Sequence, residues 1–283
     1  LGLVMVAAIT TIAITVVPRQ SNSAPPITYT QPPRATGADW SGYLMDATNS
    51  AYNQQEMTLS PQMMAHLRLI GMFDIGQNIP SKDAVSSSVV SVGNTLYFGS
   101  WDGYEYAVNA TTFALRWRQF LGITTPPAAD QCFPASAGVS SNATLVGNNL
   151  YVGGGAGSMY DLDPTTGTII WQTKITTPPD GYIWGSPLLA HRRIYIGTSS
   201  YGDCPLIRAS IDMLDAATGK LLKVHYNVGP NEVGNSIWSK GVLDAADHAV
   251  IFATGNGPAG NPESQAIVAL NWDTLDELPH GTW

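Results

Sequence analysis

The sequence predicts an all-β fold, a β-propeller assembled from four-stranded antiparallel blades, and three observations carry that prediction. The first is composition: of 283 residues, 28 are Gly, 19 are Pro and only 12% are charged. So many turn-formers and so few charges suit short strands better than amphipathic helices. The second is an internal repeat: Leu96–Trp117 (LYFGSWDGYEYAVNATTFALRW) aligns without a gap on Leu150–Trp171 (LYVGGGAGSMYDLDPTTGTIIW). The third is period. Further copies run over Ile194–Leu222 and Val250–Leu275, each expanded between its strands, so units recur every 45–55 residues or about one propeller blade.

The elements follow in chain order. Leu1–Val17 carries no charge and is followed by Pro18 and Arg19. At the short limit for a bilayer span, it reads as a signal-peptide core or membrane anchor over residues 1–18, with a helix expected over Leu3–Val17. Cleavage, if any, is expected near Ser23 or Ala24. Residues 19–38, rich in Pro and Ser, read as a tether. The propeller domain then occupies 39–283. Within it, Asp39–Asn53 is followed by the apolar Leu67–Ile70, expected to form the outer strand of a closing blade.

Each repeat has the same grammar. A short apolar strand precedes it (Ser88–Val92, Ala143–Val146, Ser186–Ala190, Trp238–Leu243), giving four strands per unit. A strand such as Leu150–Val152 ends in glycine, and a turn leads into Ser158–Leu162. Asp163–Gly167 (Asp-x-x-Thr-Gly) closes the next turn, where Asp accepts backbone amides and Gly adopts a left-handed conformation. The strand Ile169–Trp171 follows. A lone blade leaves its sheet faces bare, so Trp117 and Trp171 are expected to pack between neighbouring blades. About four to five blades fit between Asp39 and Trp283, against seven or eight in a complete ring, so the chain is expected to be a fragment.

Other chemistry is sparse. A net charge of −8 argues against a phosphate backbone as partner, so no nucleic acid is expected. His66, His191, His225, His248 and His280 show no metal-ligand spacing and read as surface or turn residues. No Gly-x-Ser-x-Gly elbow occurs, and the glycines of Gly153–Gly157 lie between strands rather than before a helix. Asn109 and Asn142 head Asn-x-Thr triplets, read as ordinary turns. Cys132 and Cys204 are the two cysteines, either bonded to each other in an oxidising compartment or two separate buried thiols.

The repeats resemble those of the pyrroloquinoline quinone (PQQ) family over roughly Asp39–Trp283. Asp39-Trp40 and Thr254-Gly255-Asn256 resemble the PQQ-dependent alcohol dehydrogenases, including those like polyvinyl alcohol dehydrogenase. That resemblance implies PQQ on the propeller axis over a tryptophan floor. It also implies a Ca²⁺ held by Glu, Asn and Asp that polarises the quinone, and an Asp acting as base. Carried onto this sequence, Trp238 is the floor, Asn256 a Ca²⁺ ligand and Arg208 a motif arginine at the cofactor. The sequence departs from the pattern at three places. Cys204 stands where the family has its Ca²⁺-binding Glu, with Asp203 beside it. One cysteine without an arginine, Cys132, replaces adjacent cysteines followed by a PQQ-contacting Arg. The catalytic Asp falls beyond Trp283, so the catalytic residue is unknown. Both cysteines occupy cofactor-facing positions, which places an expected Cys132–Cys204 disulfide across the central face.

Two functions follow. The departures favour a non-catalytic binding or scaffold propeller whose partner is a protein or polymer. The alternative is a PQQ- and Ca²⁺-dependent alcohol dehydrogenase oxidising a small alcohol or polymer to a carbonyl. Either is expected outside the cytoplasmic membrane, with membrane contact through the N-terminal segment.

Overall fold

In the computed structural model of the chain, the structure describes residues 39–75, 84–202 and 204–282. The helix expected over Leu3–Val17, the tether and Asp203 lie outside the described residues. Four antiparallel four-stranded sheets follow one another. Sheet 1 holds β1 (Val90–Val92), β2 (Thr95–Gly99), β3 (Tyr104–Asn109) and β4 (Leu115–Phe120). Sheet 2 holds β5 (Thr144–Val146), β6 (Asn149–Gly153), β7 (Ser158–Leu162) and β8 (Ile169–Lys174). A short pair, β9 (Gly181–Tyr182) with β12 (Ser199–Ser200), accompanies sheet 3: β10 (Leu188–Ala190), β11 (Arg193–Gly197), β13 (Ser210–Asp215) and β14 (Leu221–Tyr226). Sheet 4 holds β15 (Val242–Asp244), β16 (Ala249–Ala253), β17 (Ile267–Asn271) and β18 (Glu277–Thr282). Among the described residues, the only helical segments are single 3₁₀ turns at Met63–His66 and Ala128–Asp130. None of their helices is long and apolar enough to cross a membrane.

The expected turn chemistry is present. Asp163 Oδ1 accepts the amides of Thr165 and Thr166, both at 2.8 Å, and Gly167 N–H returns to Asp163 O at 2.8 Å. Asp215 makes the same turn with Thr218 and Gly219. These hydrogen bonds, led by the Thr166 amide, hold the Asp163 carboxyl below its ordinary value. Gly167 and Gly219 sit at φ of +76° and +70°. The glycine has a second reason beyond its backbone angle. A Cβ on Gly167 would lie 2.6 Å from the Trp117 ring, and one on Gly219 would lie 2.5 Å from the Trp171 ring. Each indole also donates to the next sheet's turn, Trp117 Nε1 to Pro164 O (3.0 Å) and Trp171 Nε1 to Ala216 O (3.1 Å). The two tryptophans are therefore clamps between consecutive sheets.

One apolar cluster fills each crevice. Val139, Ala107 and Tyr160 pack between sheets 1 and 2; Met159, Ile196 and Leu214 between 2 and 3; Ile211, Phe252 and Val268 between 3 and 4. The first strands line the axis, β1 touching β5 and β10 touching β15. Asp39–Asn53 crosses their open edges. Trp40 O accepts the Ser91 amide, Ser41 O that of Leu145 and Ala47 O that of Leu243, the same repeat position in sheets 1, 2 and 4. Three inner-strand donors that would otherwise be bare are thus satisfied by one strap.

Leu67–Ile70 does not form the expected strand: its backbone pairs with no strand among the described residues, and Leu69 is 76% exposed. Phe73 and Ile75 just beyond it cover the free face of sheet 1 instead, packing on Phe98 and Tyr106. A strand needs a partner edge, and no edge among the described residues meets Leu67–Ile70, whose apolar side chains stay exposed. Asn109 does hold a turn, accepting the Thr111 and Thr112 amides. Asn142 does not; it is buried at the axis, which closes it to a bulky glycan. His191 and His248 are turn residues, and both rings pack on Trp272. His225 is half-buried in β14 and faces Glu263 at 3.4 Å, so it is not a surface residue.

Candidate functional site: an aromatic cavity on the propeller axis

Strand register makes four segments equivalent. Val90, Thr144, Leu188 and Val242 pair with Tyr97, Tyr151, Tyr195 and Ile251 in the four sheets. Stepping back along each chain, Ser86, Ser140, Trp184 and Trp238 share one position, and Ser88, Asn142, Ser186 and Lys240 share another. All eight line one cavity of about 270 Å³ on the axis, with Tyr43, Gly185 and Ser239. The volume is close to the lower end of ordinary small-molecule sites, roughly 300 Å³.

Its polar wall is a relay around the axis. Ser88 N donates to Asn142 Oδ1, and Asn142 Nδ2 donates to Ser186 Oγ at 2.7 Å. In sheet 4 the relay becomes a cation: Lys240 Nζ donates to the carbonyls of Tyr43 (3.1 Å) and Asp46 (2.6 Å) in the strap. Burial lowers the Lys240 pKa to about 8, while the Asp46 carboxylate opposes the shift. Lys240 is the one charged residue in the lining, a local positive site in an acidic chain.

Its apolar wall is aromatic. The Trp184 and Trp238 rings lie 5.7 Å apart and 30° from parallel. Behind Trp184 stand Tyr182 (4.5 Å), Tyr201 (6.0 Å) and Trp101 (6.5 Å). Hydrogen bonds fix these rings: Trp101 Nε1 donates to Ser140 Oγ (2.9 Å), Ser140 meets Tyr182 OH (3.0 Å), and Tyr201 OH donates to Pro134 O (2.9 Å). Burial raises the Tyr182 and Tyr201 pKa values, so both phenols stay protonated. Trp238 remains 39% exposed, so part of its ring is free for a ligand.

Cys132 and Cys204 are disulfide-bonded, with Cα atoms 5.8 Å apart. The bond ties the loop before sheet 2 to the insertion in sheet 3, and Cys132 packs on the aromatic cluster with Tyr182, Tyr201 and Trp184. It therefore braces the back of the cavity. The other expected site residues fall in different places. Trp238 is in the cavity, and Gly255 approaches it closely enough that a Cβ would lie 3.3 Å from Trp238 Nε1. Asn256 follows on an exposed turn, where its carbonyl accepts the Asn235 amide at 2.9 Å. Arg208 is not in the cavity lining. It lies 3.7 Å from the Tyr226 ring centroid and donates Nε and Nη2 to Val228 O, both at 3.2 Å. The sequence reading missed Trp184 and Lys240. The signal for Trp184 was present: Ile183-Trp184 and Ile237-Trp238 repeat at one register.

Comparison with known proteins decides the family. The PQQ_2 model, described as outer membrane protein assembly factor BamB, matches residues 102–273, more than half of the chain. The chain belongs to the PQQ_2 family. It is 24% identical to a polyvinylalcohol dehydrogenase of a Pseudomonas species over 91% of this chain and 42% of that protein. It is 26% identical to quinohemoprotein alcohol dehydrogenase ADH IIB of Pseudomonas putida over 56% of this chain and 26% of that protein. The chain thus spans less than half the length of these curated relatives. The quinohemoprotein alcohol dehydrogenase structure from Comamonas testosteroni superposes with a TM-score of 0.69 at 21% identity, covering 88% of this chain and 42% of that one. That likeness confirms the PQQ-repeat propeller fold.

PQQ is a planar quinone bearing carboxylates, and the cavity suits such a ring: the part-exposed Trp238 indole, backed by Trp184, for one face, hydroxyls and an amide for its edge, and one ammonium for its charge. Ca²⁺ fits less well. It takes six to eight oxygen ligands, roughly, and favours carboxylates. The lining contains none, and no cluster of three His, Cys, Asp or Glu side chains capable of holding a metal exists among the described residues. With Cys204 in a disulfide, these residues do not form the calcium shell that the resemblance implies.

Proposed function

We propose that this chain forms the quinone-binding part of a PQQ-dependent alcohol dehydrogenase. The observation that carries the reading is the Trp184–Trp238 pair on the axial cavity, at positions where sheets 1 and 2 have Ser86 and Ser140. Two serines would leave an open polar channel; the paired indoles create an aromatic platform for a flat ring. Trp238, backed by Trp184, would stack on one face of it, Asn142 and Ser186 would bond its edge, and Lys240 would balance a carboxylate. When bound, PQQ supplies a quinone that accepts two electrons from an alcohol. The residues described here orient that ring and keep water from one face. The polymer specificity named for the polyvinylalcohol dehydrogenase relative is a candidate for this protein's substrate. We place the protein outside the cytoplasm on two supports, the disulfide and the uncharged Leu1–Val17.

Titration with PQQ, with and without Ca²⁺, followed by tryptophan fluorescence, tests the reading. Saturable quenching that Trp238→Ala weakens by about tenfold or more is expected, as for loss of a stacking platform. The carboxylate-free lining favours a second reading, a propeller that binds a protein or polymer without catalysis. Absence of quenching at PQQ concentrations on the order of tens of micromolar would support that reading instead.

A further inference from the structure

The crevice between sheets 2 and 3 differs from that between sheets 1 and 2 at one telling position. Tyr160 in β7 pairs with Val152, and Asp212 in β13 pairs with Ile196, the same place in the repeat. Tyr106 and Val268 hold that place in sheets 1 and 4. Tyr160 fills its crevice: it is 5% exposed, packs among the residues joining sheets 1 and 2, and its hydroxyl reaches Leu121 O at 3.5 Å. Asp212 is smaller by a whole aromatic ring, and a cavity of about 430 Å³ occupies the corresponding space.

The cavity has a built polar base. Thr198 Oγ1 and Ser210 Oγ lie 2.9 Å apart, and Ser210 Oγ donates to Asp212 Oδ1 at 2.6 Å. All three residues line the cavity, and each is at most 5% exposed. A carboxyl is costly to bury without partners, and the three equivalent residues show that the fold does not require one here. Burial raises the Asp212 pKa to about 7, so near neutrality the carboxyl can both donate and accept. At the mouth the two cations are already engaged, Lys174 Nζ donating to Ala156 O at 2.6 Å and Arg208 held by Val228 O and Tyr226, and Asp180 offsets one of the two charges. Thr176, Thr177 and Tyr226 add hydroxyl-bearing side chains, and apolar residues such as Ile175, Ile207 and Val224 make up the rest of the lining. Such a surface offers paired donors and acceptors beside apolar patches, with both of its cations already engaged.

We propose that this crevice binds a neutral, hydroxyl-rich ligand, a polyol or saccharide unit, at Thr198, Ser210 and Asp212. It is separate from the axial cavity and does not depend on quinone binding. Calorimetric titration of the whole chain with mannitol and with maltotriose tests it. Saturable binding of at least one probe is expected. Asp212→Tyr, which copies the residue filling the neighbouring crevice, is expected to weaken binding by about tenfold or more, as for loss of a buried hydrogen-bond partner. Trp238→Ala is expected to leave it unchanged. Should Asp212→Tyr fail to fold, Ser210→Ala reports on the same site with a minimal change of volume. Binding of neither probe, binding that survives both crevice variants, or equal binding of anionic gluconate would overturn the proposal.

Discussion

The junction between sheets 1 and 2 and that between sheets 3 and 4 solve the same packing problem differently. In the first, Trp117 presses on Gly167 of the next sheet and donates to Pro164 O. In the second, the position paired with Met213, equivalent to Trp117 and Trp171, is Lys223. There a surface ion pair, Lys223 Nζ to Asp276 Oδ1 at 2.6 Å, replaces the indole. The turn changes with it. Leu275 stands where sheets 2 and 3 have glycine, accepts a φ of +52°, and is buried in the core between sheets 3 and 4. Glycine in this turn is therefore as much a seat for tryptophan as a backbone requirement. Where no tryptophan arrives, a side chain takes the space.

The comparison is broken most directly by removing a clamp. Trp117→Ala is expected to cost about 3–5 kcal/mol, since the ring is 8% exposed and its seat cannot refill. Denaturant unfolding measures this, and a loss no larger than that of a surface substitution would refute the clamp. Opening the Cys132–Cys204 bridge releases a 72-residue separation and is expected to cost about 4 kcal/mol in the chain-entropy model. Reducing and non-reducing melts of the Cys132→Ser, Cys204→Ser double variant would then coincide well below the oxidised parent.

A smaller effect separates the two crevices by pH. The Asp212 pKa is raised by burial from 3.8 to about 7. Between those values the folded state holds more protons than the unfolded chain. This group's contribution is therefore full below about pH 4 and is lost as pH rises through about 7. Asp212→Asn is expected to flatten the fall in Tm across that window, and an unchanged slope would show that other groups set it. The smallest effect belongs to Lys223→Ala. An exposed ion pair contributes about 0–1 kcal/mol, so this junction should barely weaken, less so still in high salt. A loss rivalling that of Trp117→Ala would mean the ion pair carries the junction.

Much of this was legible before any coordinates. Repeating Tyr, Gly, Thr and Trp positions fixed the strands and turns, because alternating faces and left-handed turns leave local marks. Trp238 was legible as a pocket residue through family resemblance, and the cysteine pair through compartment and resemblance together. The expected strand at Leu67–Ile70 failed because an apolar run specifies burial tendency but not a partner edge. Arg208 matched a motif, yet its guanidinium found Tyr226 and a carbonyl of its own neighbourhood, an outcome spacing does not encode.

The sequence by itself determined that this chain repeats a four-stranded unit, and which turn each unit uses, since those depend on residues within a few positions of one another. Only the tertiary structure decided what the axis holds. Ser140, Trp184, Trp238 and Lys240 come from three units and meet because the inner strands converge. Likewise, the Asp212 crevice opens because Asp212 stands where an aromatic ring fills the equivalent crevice and no side chain of the neighbouring unit takes that space, so the gap between two sheets belongs to neither sequence segment alone.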